Sequence, residues 1–281
     1  MFGDARGLNM QEPQILTDQT QLARNRARAQ KDAMFLHEEA AQEVQDRLEE
    51  VNRTFTDVAV VTDFPDVWSR FFPQARMVSA ADTLALDTNA HDLVIHGLAL
   101  HWANDPVGQM IQSRRALRPD GLFLGVLFGG QTLSQLRAAL SEAEVAVRGG
   151  LSPHIVPMGE IRDLGALLQR AGFALPVADS SLRTVSYRDA FALMHDLRAM
   201  GEGNALHHRQ KQPGSRQVFN LAAQYYARHF GTDDGRIPAS FELIFLTGWA
   251  PDESQQKPLR PGSAAARLAD ALGTGETRLP D

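Results

Sequence analysis

The 281-residue chain contains no cysteine. Disulfides, zinc–thiolate sites, iron–sulfur ligation and thiol nucleophiles are therefore excluded. No apolar run approaches the ~18 residues that suggest a membrane-spanning helix. The first residues, MFGDARGLNMQEPQ, lack the apolar stretch of a secretory signal. A formal net charge of −6 argues against general nucleic-acid binding. Together these absences point to a cytoplasmic location, with no nucleic acid as partner and no membrane span.

Glycine is also missing at one informative place. Residues 57–68 read DVAVVTDFPDVW, a valine-rich strand followed by a turn and a helix start. Where a nucleotide must approach such a first strand-to-helix turn, glycines supply the tight turn and the close backbone approach. Here the turn is Thr62-Asp63-Phe64-Pro65-Asp66. Pro65 fixes φ and removes a donor, and Phe64 adds bulk. The turn also reads as an ordinary connection in which Asp63 or Asp66 caps the next helix.

What is present reads as an α/β chain. The hydrophobic fraction of 43% suits a globular core. Leu36, Ala40, Val44, Leu48 and Val51 recur at helical spacing. Short apolar runs at residues 57–62, 92–96 and 122–128 have the pattern of strands covered on both faces, and residues 76–80 suggest a further short strand. Asp105-Pro106 predicts a helix start, with Asp as N-cap and Pro in the first position. Arg118-Pro119-Asp120-Gly121 predicts a turn in which Gly121 takes the positive φ. Thr132 and Gln135, and again Ser186 and Asp189, suggest capping boxes. Helical faces follow at Leu133/Leu136/Leu140, Leu164/Leu168, Phe191/Met194/Leu197 and Val218/Ala222/Tyr225, and residues 241–249 predict a strong last strand. Alternating elements imply a mostly parallel sheet. Beyond Pro251 the sequence predicts an arm lying on the domain, then a tail with a short helix at 264–272.

Several segments carry a family resemblance. HDLVIHGLALHWANDP (residues 91–106) and LRPDGLFLGVLFGG (117–130) resemble class I S-adenosylmethionine-dependent methyltransferases, in the group that includes the biotin-pathway carrier-protein methyltransferase. GGLSPHIVPMGEIRDLGALLQRAGF (149–173), DLRAMGEGNA, DGRIPASFELIFLTGW and ESQQKPLRPGS make the chain similar to the methyltransferase-type assembly factors of respiratory complex I. That resemblance implies a Rossmann-like class I methyltransferase fold with an antiparallel final strand, a helical N-terminal segment and an extended C-terminal arm. It implies S-adenosylmethionine as cofactor and a complex I subunit as protein partner. The modification would be methylation or, as in the mitochondrial relatives, arginine hydroxylation.

Two departures bear on that expectation. The glycine loop is replaced by the bulky turn. The segment between Phe72 and Asp92 is too short for a second strand ending in an acid, a helix and a third strand. A non-catalytic relative that keeps the scaffold as a binding or assembly module is thus the alternative reading. A small-molecule methyltransferase is a weaker one.

Ligands in open α/β sheets lie outside the carboxyl ends of the strands. That rule makes His101 and Trp102 the candidate catalytic pair. It makes Thr62, Asp63, Phe64, Asp82, His96 and Gly97 the candidate cofactor contacts. Packing is the competing role for His101 and Trp102. No spacing of the histidines singles out two His and a carboxylate for iron, so no metal site is assigned. His207-His208 reads as exposed loop, the Gly129-Gly130 pair as a close-approach point or flexible turn, and Ser152-Pro153-His154 as a lid segment or turn. Arg24, Arg26, Arg28 and Lys31 form a basic cluster that reads chiefly as a solvated helix face. The expected organisation is a loose N-terminus at 1–16, a methyltransferase-like domain at 17–250 with a substrate-side elaboration at 155–235, and the arm and tail at 251–281.

Overall fold

The computed structural model describes residues 15–212 and 214–256. The predicted helix at 264–272 lies outside the described residues, as does most of the arm. The main compact unit ends at Pro251, and a small second unit begins at Asp252. None of the described helices is long and apolar enough to cross a membrane.

Among the described residues six strands form one sheet: β1 (Val58–Val61), β2 (Arg76–Val78), β3 (His91–Gly97), β4 (Leu117–Phe128), β5 (Ala174–Tyr187) and β6 (Ile237–Trp249). Their order is β2-β1-β3-β4-β6-β5. β2, β1, β3 and β4 run parallel, and β6 pairs antiparallel with both β4 and β5. This is the Rossmann-like class I methyltransferase arrangement, with an antiparallel final strand.

The helices are α1 (Gln19–Arg26), α2 (Phe35–Glu50), α3 (Pro65–Phe71), α4 (Pro106–Ala116), α5 (Ser134–Arg148), α6 (Ile161–Arg170), α7 (Ala190–Ala199) and α8 (Arg216–Phe230). They cover both faces of the sheet. Successive strand residues point to opposite faces. Val60 accordingly joins a core with Leu36, Trp68, Leu136 and Tyr226, while Ala59 and Val61 join one with Met110 and Leu168. Burial on both faces explains why β1, β3 and β4 read as continuous apolar runs.

The shortened segment is visible. β2 has three residues, and the chain reaches β3 with neither a helix nor another strand among residues 79–90. α4 holds that loop: Gln112 Oε1 accepts from Leu84 N at 2.8 Å, and its Nε2 donates to the Asp82 carbonyl at 2.9 Å.

Three local expectations are corrected. Asp120, at φ 59°, takes the positive φ that had been assigned to Gly121. α5 has no side-chain cap. Its supposed box residues tie the helix to β6 instead: Thr132 Oγ1 accepts from Glu242 N at 3.0 Å, and Gln135 Nε2 donates to Ser240 Oγ at 2.7 Å. Asp189 is itself the N-cap of α7, accepting from Ala192 N at 2.8 Å, while Ser186 lies in β5 and receives Arg236. β5 was not expected from the sequence.

Candidate functional site

The strand order reverses between β1 and β3, because β2 lies beyond β1 on one side and β4 beyond β3 on the other. The carboxyl ends of β1 and β3 define this switch point, where ligands of doubly wound sheets bind. Side chains of this protein occupy much of it. Gly97 ends β3 under the fully buried indole of Trp68, and a Cβ at Gly97 would lie 2.5 Å from Trp68 Cε2 and Cζ2. Trp68 Nε1 donates to His37 Nδ1 at 3.3 Å. Phe64 meets the His37 ring edge-on with centroids 4.6 Å apart, and the Arg26 guanidinium lies 4.8 Å from its centroid on another side.

Gly97→Ala is therefore expected to destabilise the protein by about 1–3 kcal/mol, the usual range for overpacking. Gly150→Ala, where a Cβ meets nothing within 4 Å, is the control. Urea unfolding of both variants checks this; equal stabilities would show that Trp68 moves aside freely.

Glu202 is the electrostatic centre of the site. Gly201, at φ 82°, follows α7. Its N–H bonds to the Arg198 carbonyl and the Glu202 N–H to the Leu197 carbonyl, at 3.1 and 2.9 Å. This Schellman termination aims the Glu202 side chain inward. Glu202 Oε2 accepts from Trp102 Nε1 at 2.7 Å and lies 3.4 Å from His101 Nε2, while Oε1 lies 3.2 Å from Arg26 Nη2. The Arg26 and Glu202 side chains are 7% and 10% exposed, so this is a buried ion pair. Burial alone would raise the Glu202 pKa. The Arg26 charge and the His101 and Trp102 contacts outweigh it and hold the carboxyl ionised, well below the ordinary carboxylate range.

The pair is poorly aligned. Among the described residues, Arg26 Nε, Nη1 and Nη2 and Glu202 Oε1 have no hydrogen-bond partner. α1 is held in place independently of it. Asn104 Oδ1 accepts from Leu16 N and Thr17 N at 2.9 and 2.8 Å, Asp18 N donates to the Ala205 carbonyl, and Leu22 packs with Trp102, Val156 and Leu206.

Two cavities flank this centre. The first, of about 610 Å³, opens beyond β3 and β4. Its walls are largely apolar, including Trp102, Phe128, Leu136, Met158 and Phe241, and Glu202, His154, Arg28 and Arg198 also line it. The second, of about 580 Å³, is a cleft at the ends of β1 and β2, lined by Thr62, Asp63, Met77, Ser79, Ala80 and Arg26 among others. Two leucines hold positive φ, Leu98 at 49° directly after β3 and Leu133 at 55° as the N-cap of α5. Such strain persists where the surroundings enforce it, often at functional sites.

The sequence candidates are distributed as follows. His101 and Trp102 are buried together against Glu202, and Trp102 also faces the first cavity. Thr62 and Asp63 line the second cleft. Asp63 Oδ1 is turned onto Ala80 N and Ser79 Oγ, at 3.3 and 3.4 Å. Phe64, His96 and Gly97 line neither cavity, His96 and Gly97 being buried and Phe64 half-buried, and the exposed Asp82 lies outside both. His96 Nε2 bonds Gln109 Oε1 at 2.8 Å, and burial lowers its pKa to about 4. His37 is likewise lowered to about 3, by burial first and then by the Arg26 charge.

Gly129 and Gly130 admit two carboxylates of the chain itself: added Cβ atoms would collide with Glu242 Oε2 and Glu160 Oε1. Ser152 N donates to the buried Glu144, and His154 lines the first cavity. His207 and His208 are exposed. Among the described residues no group of three or more His, Asp or Glu converges to hold a metal ion.

The residues missed were Glu202 and the buried role of Arg26. The signal for Arg26 is its position four residues after Leu22 on one helical face.

Residues 48–125 match a family described as a methyltransferase domain. The mitochondrial arginine-hydroxylase NDUFAF5 of Dictyostelium discoideum is 42% identical over 67% of this chain and 43% of its own length. That of Danio rerio is 38% identical over 73% of this chain and 63% of its own. The malonyl-[acyl-carrier protein] O-methyltransferase of Xylella fastidiosa is 36% identical over 64% of this chain and 58% of its own. The chain thus spans less than two thirds of the length of each of these relatives. The NDUFAF5 relatives are named mitochondrial, whereas the composition pointed to the cytoplasm. With its fold and its motifs, the chain belongs to the methyltransferase-type family that includes the arginine-hydroxylases NDUFAF5.

Proposed function

We propose that this protein is a binding module on a methyltransferase scaffold, receiving a segment of a respiratory complex I subunit in its apolar cavity during assembly. The observation that carries this reading is the filled switch point beside an open cavity. Phe64 and Trp68 occupy the first crossover, with Trp68 seated on Gly97. The cavity beyond β3 and β4 stays open over about 610 Å³, within the range of ligand sites.

The residues around the cleft at β1 and β2 do not fit S-adenosylmethionine. β2 ends at Val78 and is followed by Ser79-Ala80-Ala81, with no carboxylate among them to receive the ribose hydroxyls. Asp63, which does line the cleft, is already engaged by Ser79 and Ala80. No glycine turn offers its backbone. No methyl-transfer step is therefore assigned.

Calorimetric titration with S-adenosylmethionine is expected to show binding weaker than about 1 mM, that is, less than about 4 kcal/mol of affinity. Sub-micromolar binding would overturn this reading. Affinity purification of the full chain is expected to retain a complex I subunit, and deletion to lower assembled NADH dehydrogenase activity in membranes. Normal activity in the deletion strain would remove the assembly role.

A second reading, arginine modification as in the relatives' name, is favoured by the ionised Glu202 at the cavity wall, a suitable partner for a guanidinium.

A further inference from the structure

β5 forms one border of the sheet, and its outer side is bare. It pairs with β6 alone. Among the described residues, no hydrogen bond joins the backbone of residues 175–185 to anything but β6. Such a row of open donors and acceptors is a template for another strand. Edge strands are normally guarded by lysine, proline, a bulge or brevity. In β5 the proline, Pro176, and the irregular register both lie at the start, between Ala174 and Val177. From Val177 to Tyr187 the strand pairs regularly with β6 and carries no lysine, and Val177 and Leu182 are half-exposed.

This stretch is self-complementary in one antiparallel register. A two-fold axis at Ser181 opposes Asp179 to Arg183, Val177 to Val185, Ala178 to Thr184 and Ser180 to Leu182. Opposite charges meet, the two valines meet, and no like charges face each other. A slip by two residues sets one of the valines against a charge. A slip by four opposes Asp179 to Asp179 or Arg183 to Arg183. A slip by one turns the paired side chains to opposite faces.

The charges are already arranged for this register. Arg47 holds Asp179 at 2.6 Å, and Glu43 and Glu39 hold Arg183 at 2.8 and 3.3 Å. Across the axis these pairs join into rows of alternating sign, Glu43 and Arg183 of one copy running into Asp179 and Arg47 of the other. Leu182 meets its own copy diagonally at about 7–8 Å, within reach of a long side chain.

We propose that the outer side of β5 is a homodimer surface, on which a second copy of this chain pairs antiparallel along residues 177–185 and makes the two sheets continuous. No residue of β5 lines either cavity flanking Glu202. Both cavities therefore stay open in the pair, and the pairing is independent of what they hold.

Sedimentation velocity of the full chain over a dilution series is expected to show a reversible monomer–dimer equilibrium. Leu182→Lys brings two ammonium groups together beside the axis and raises the dimer dissociation constant about tenfold. Leu151→Lys, at an exposed leucine outside the strand, leaves it unchanged. Thermal melting of dilute protein checks that both variants fold. A chain that is monomeric throughout, or a dimer that both variants weaken equally, overturns the proposal. A monomer whose β5 amides are protected from exchange only by a co-purified protein overturns it too, and assigns the edge to a foreign strand.

Because the chain has no cysteine, single-cysteine variants read the register. Ser181→Cys sets two thiols opposite each other and is expected to give a disulfide-linked dimer on mild oxidation with diamide. Thr184→Cys sets them six residues apart, roughly 20 Å at about 3.4 Å per residue, too far to bridge. Equal yields from the two variants, nil included, overturn the register and the proposal with it.

Discussion

Glu202→Gln lowers the unfolding free energy by about 3–5 kcal/mol, the range for breaking a buried ion pair by removing one partner. The substitution keeps the shape and an acceptor for Trp102, so the loss is chiefly that of charge. Arg26, 7% exposed at its side chain, is left as a buried cation without compensation. His101, 3.4 Å from the same carboxylate, loses its acidic neighbour too. At about 2–4 °C per kcal/mol for a domain of 150–250 residues, the melting temperature falls by roughly 10 °C.

The control is Asp57→Asn. The Asp57–Arg118 pair is shorter, at 2.7 Å, but the side chains are 48% and 45% exposed. Its loss costs far less than that of the buried pair, because solvent already screens it. The apolar double replacement Arg26→Met/Glu202→Leu recovers most of the stability, since no charge is left buried. Calorimetric unfolding of the three variants decides the matter. Equal costs for Glu202→Gln and Asp57→Asn would mean that water reaches Glu202 freely.

Much of the fold was legible because its interior strands leave a simple mark. β1, β3 and β4 are covered on both faces and appear as apolar runs. β6 bonds to β4 on one side and β5 on the other and reads the same way. β5 left no such mark. It is an edge strand, its residues alternate between partly buried and exposed, and Pro176 interrupts it. Leu175, Val177 and Leu182 are about half exposed, so its pattern resembles that of a polar loop. Capping boxes misled for a related reason. Thr132 and Gln135 have the right spacing, but β6 offers them better partners than the helix's own N–H groups do. Only tertiary structure creates those alternatives.

The site was legible in part. His101 and Trp102 could be placed because they follow a buried strand at the ligand end of the sheet. Arg26 could not be separated from Arg24 and Arg28 by composition. Its burial depends on Glu202, and the turn that delivers Glu202 comes after α7, on the other side of the sheet's whole middle section. The stop signal Gly201 was readable; the meeting of its neighbour with α1 was not. The bulk of Phe64 was legible, but its partners, His37 and Arg26, lie upstream in helices that the local turn does not specify.

Acid weakens the protein steeply, through two buried histidines that the fold keeps neutral. His96 is lowered to about 4 and His37 to about 3, each from 6.5. Burial keeps both rings neutral, and at His96 it outweighs the hydrogen bond to Gln109, which favours the charged ring. His37 Nδ1 accepts from Trp68 Nε1, and protonation would set N–H against N–H. Gln109 Nε2 donates to the Ala81 carbonyl at 3.0 Å, which turns its Oε1 toward His96 Nε2 and leaves His96 Nδ1 bare. The neighbouring charges do not reverse this: Arg26 opposes a proton on His37 while Glu202 favours it, and Asp63 only partly offsets burial at His96.

Because the folded pKa values are depressed, the unfolded chain binds more protons below 6.5. Stability is therefore fully present above that pH and declines as pH falls toward 4 and then 3. Each histidine contributes a slope of up to about 1.4 kcal/mol per pH unit. At pH 4.5, two units below the unfolded value, the two together remove about 5 kcal/mol, comparable with the whole stability of many domains. Urea unfolding at pH 7.5, 6.0, 5.0 and 4.5 is expected to show little change above 6.5 and the full slope below 5.5. His96→Gln, which preserves an amide opposite Gln109 and cannot charge, halves the slope. An unchanged slope in that variant would show that His96 is protonated in the folded protein, and that water enters behind β3.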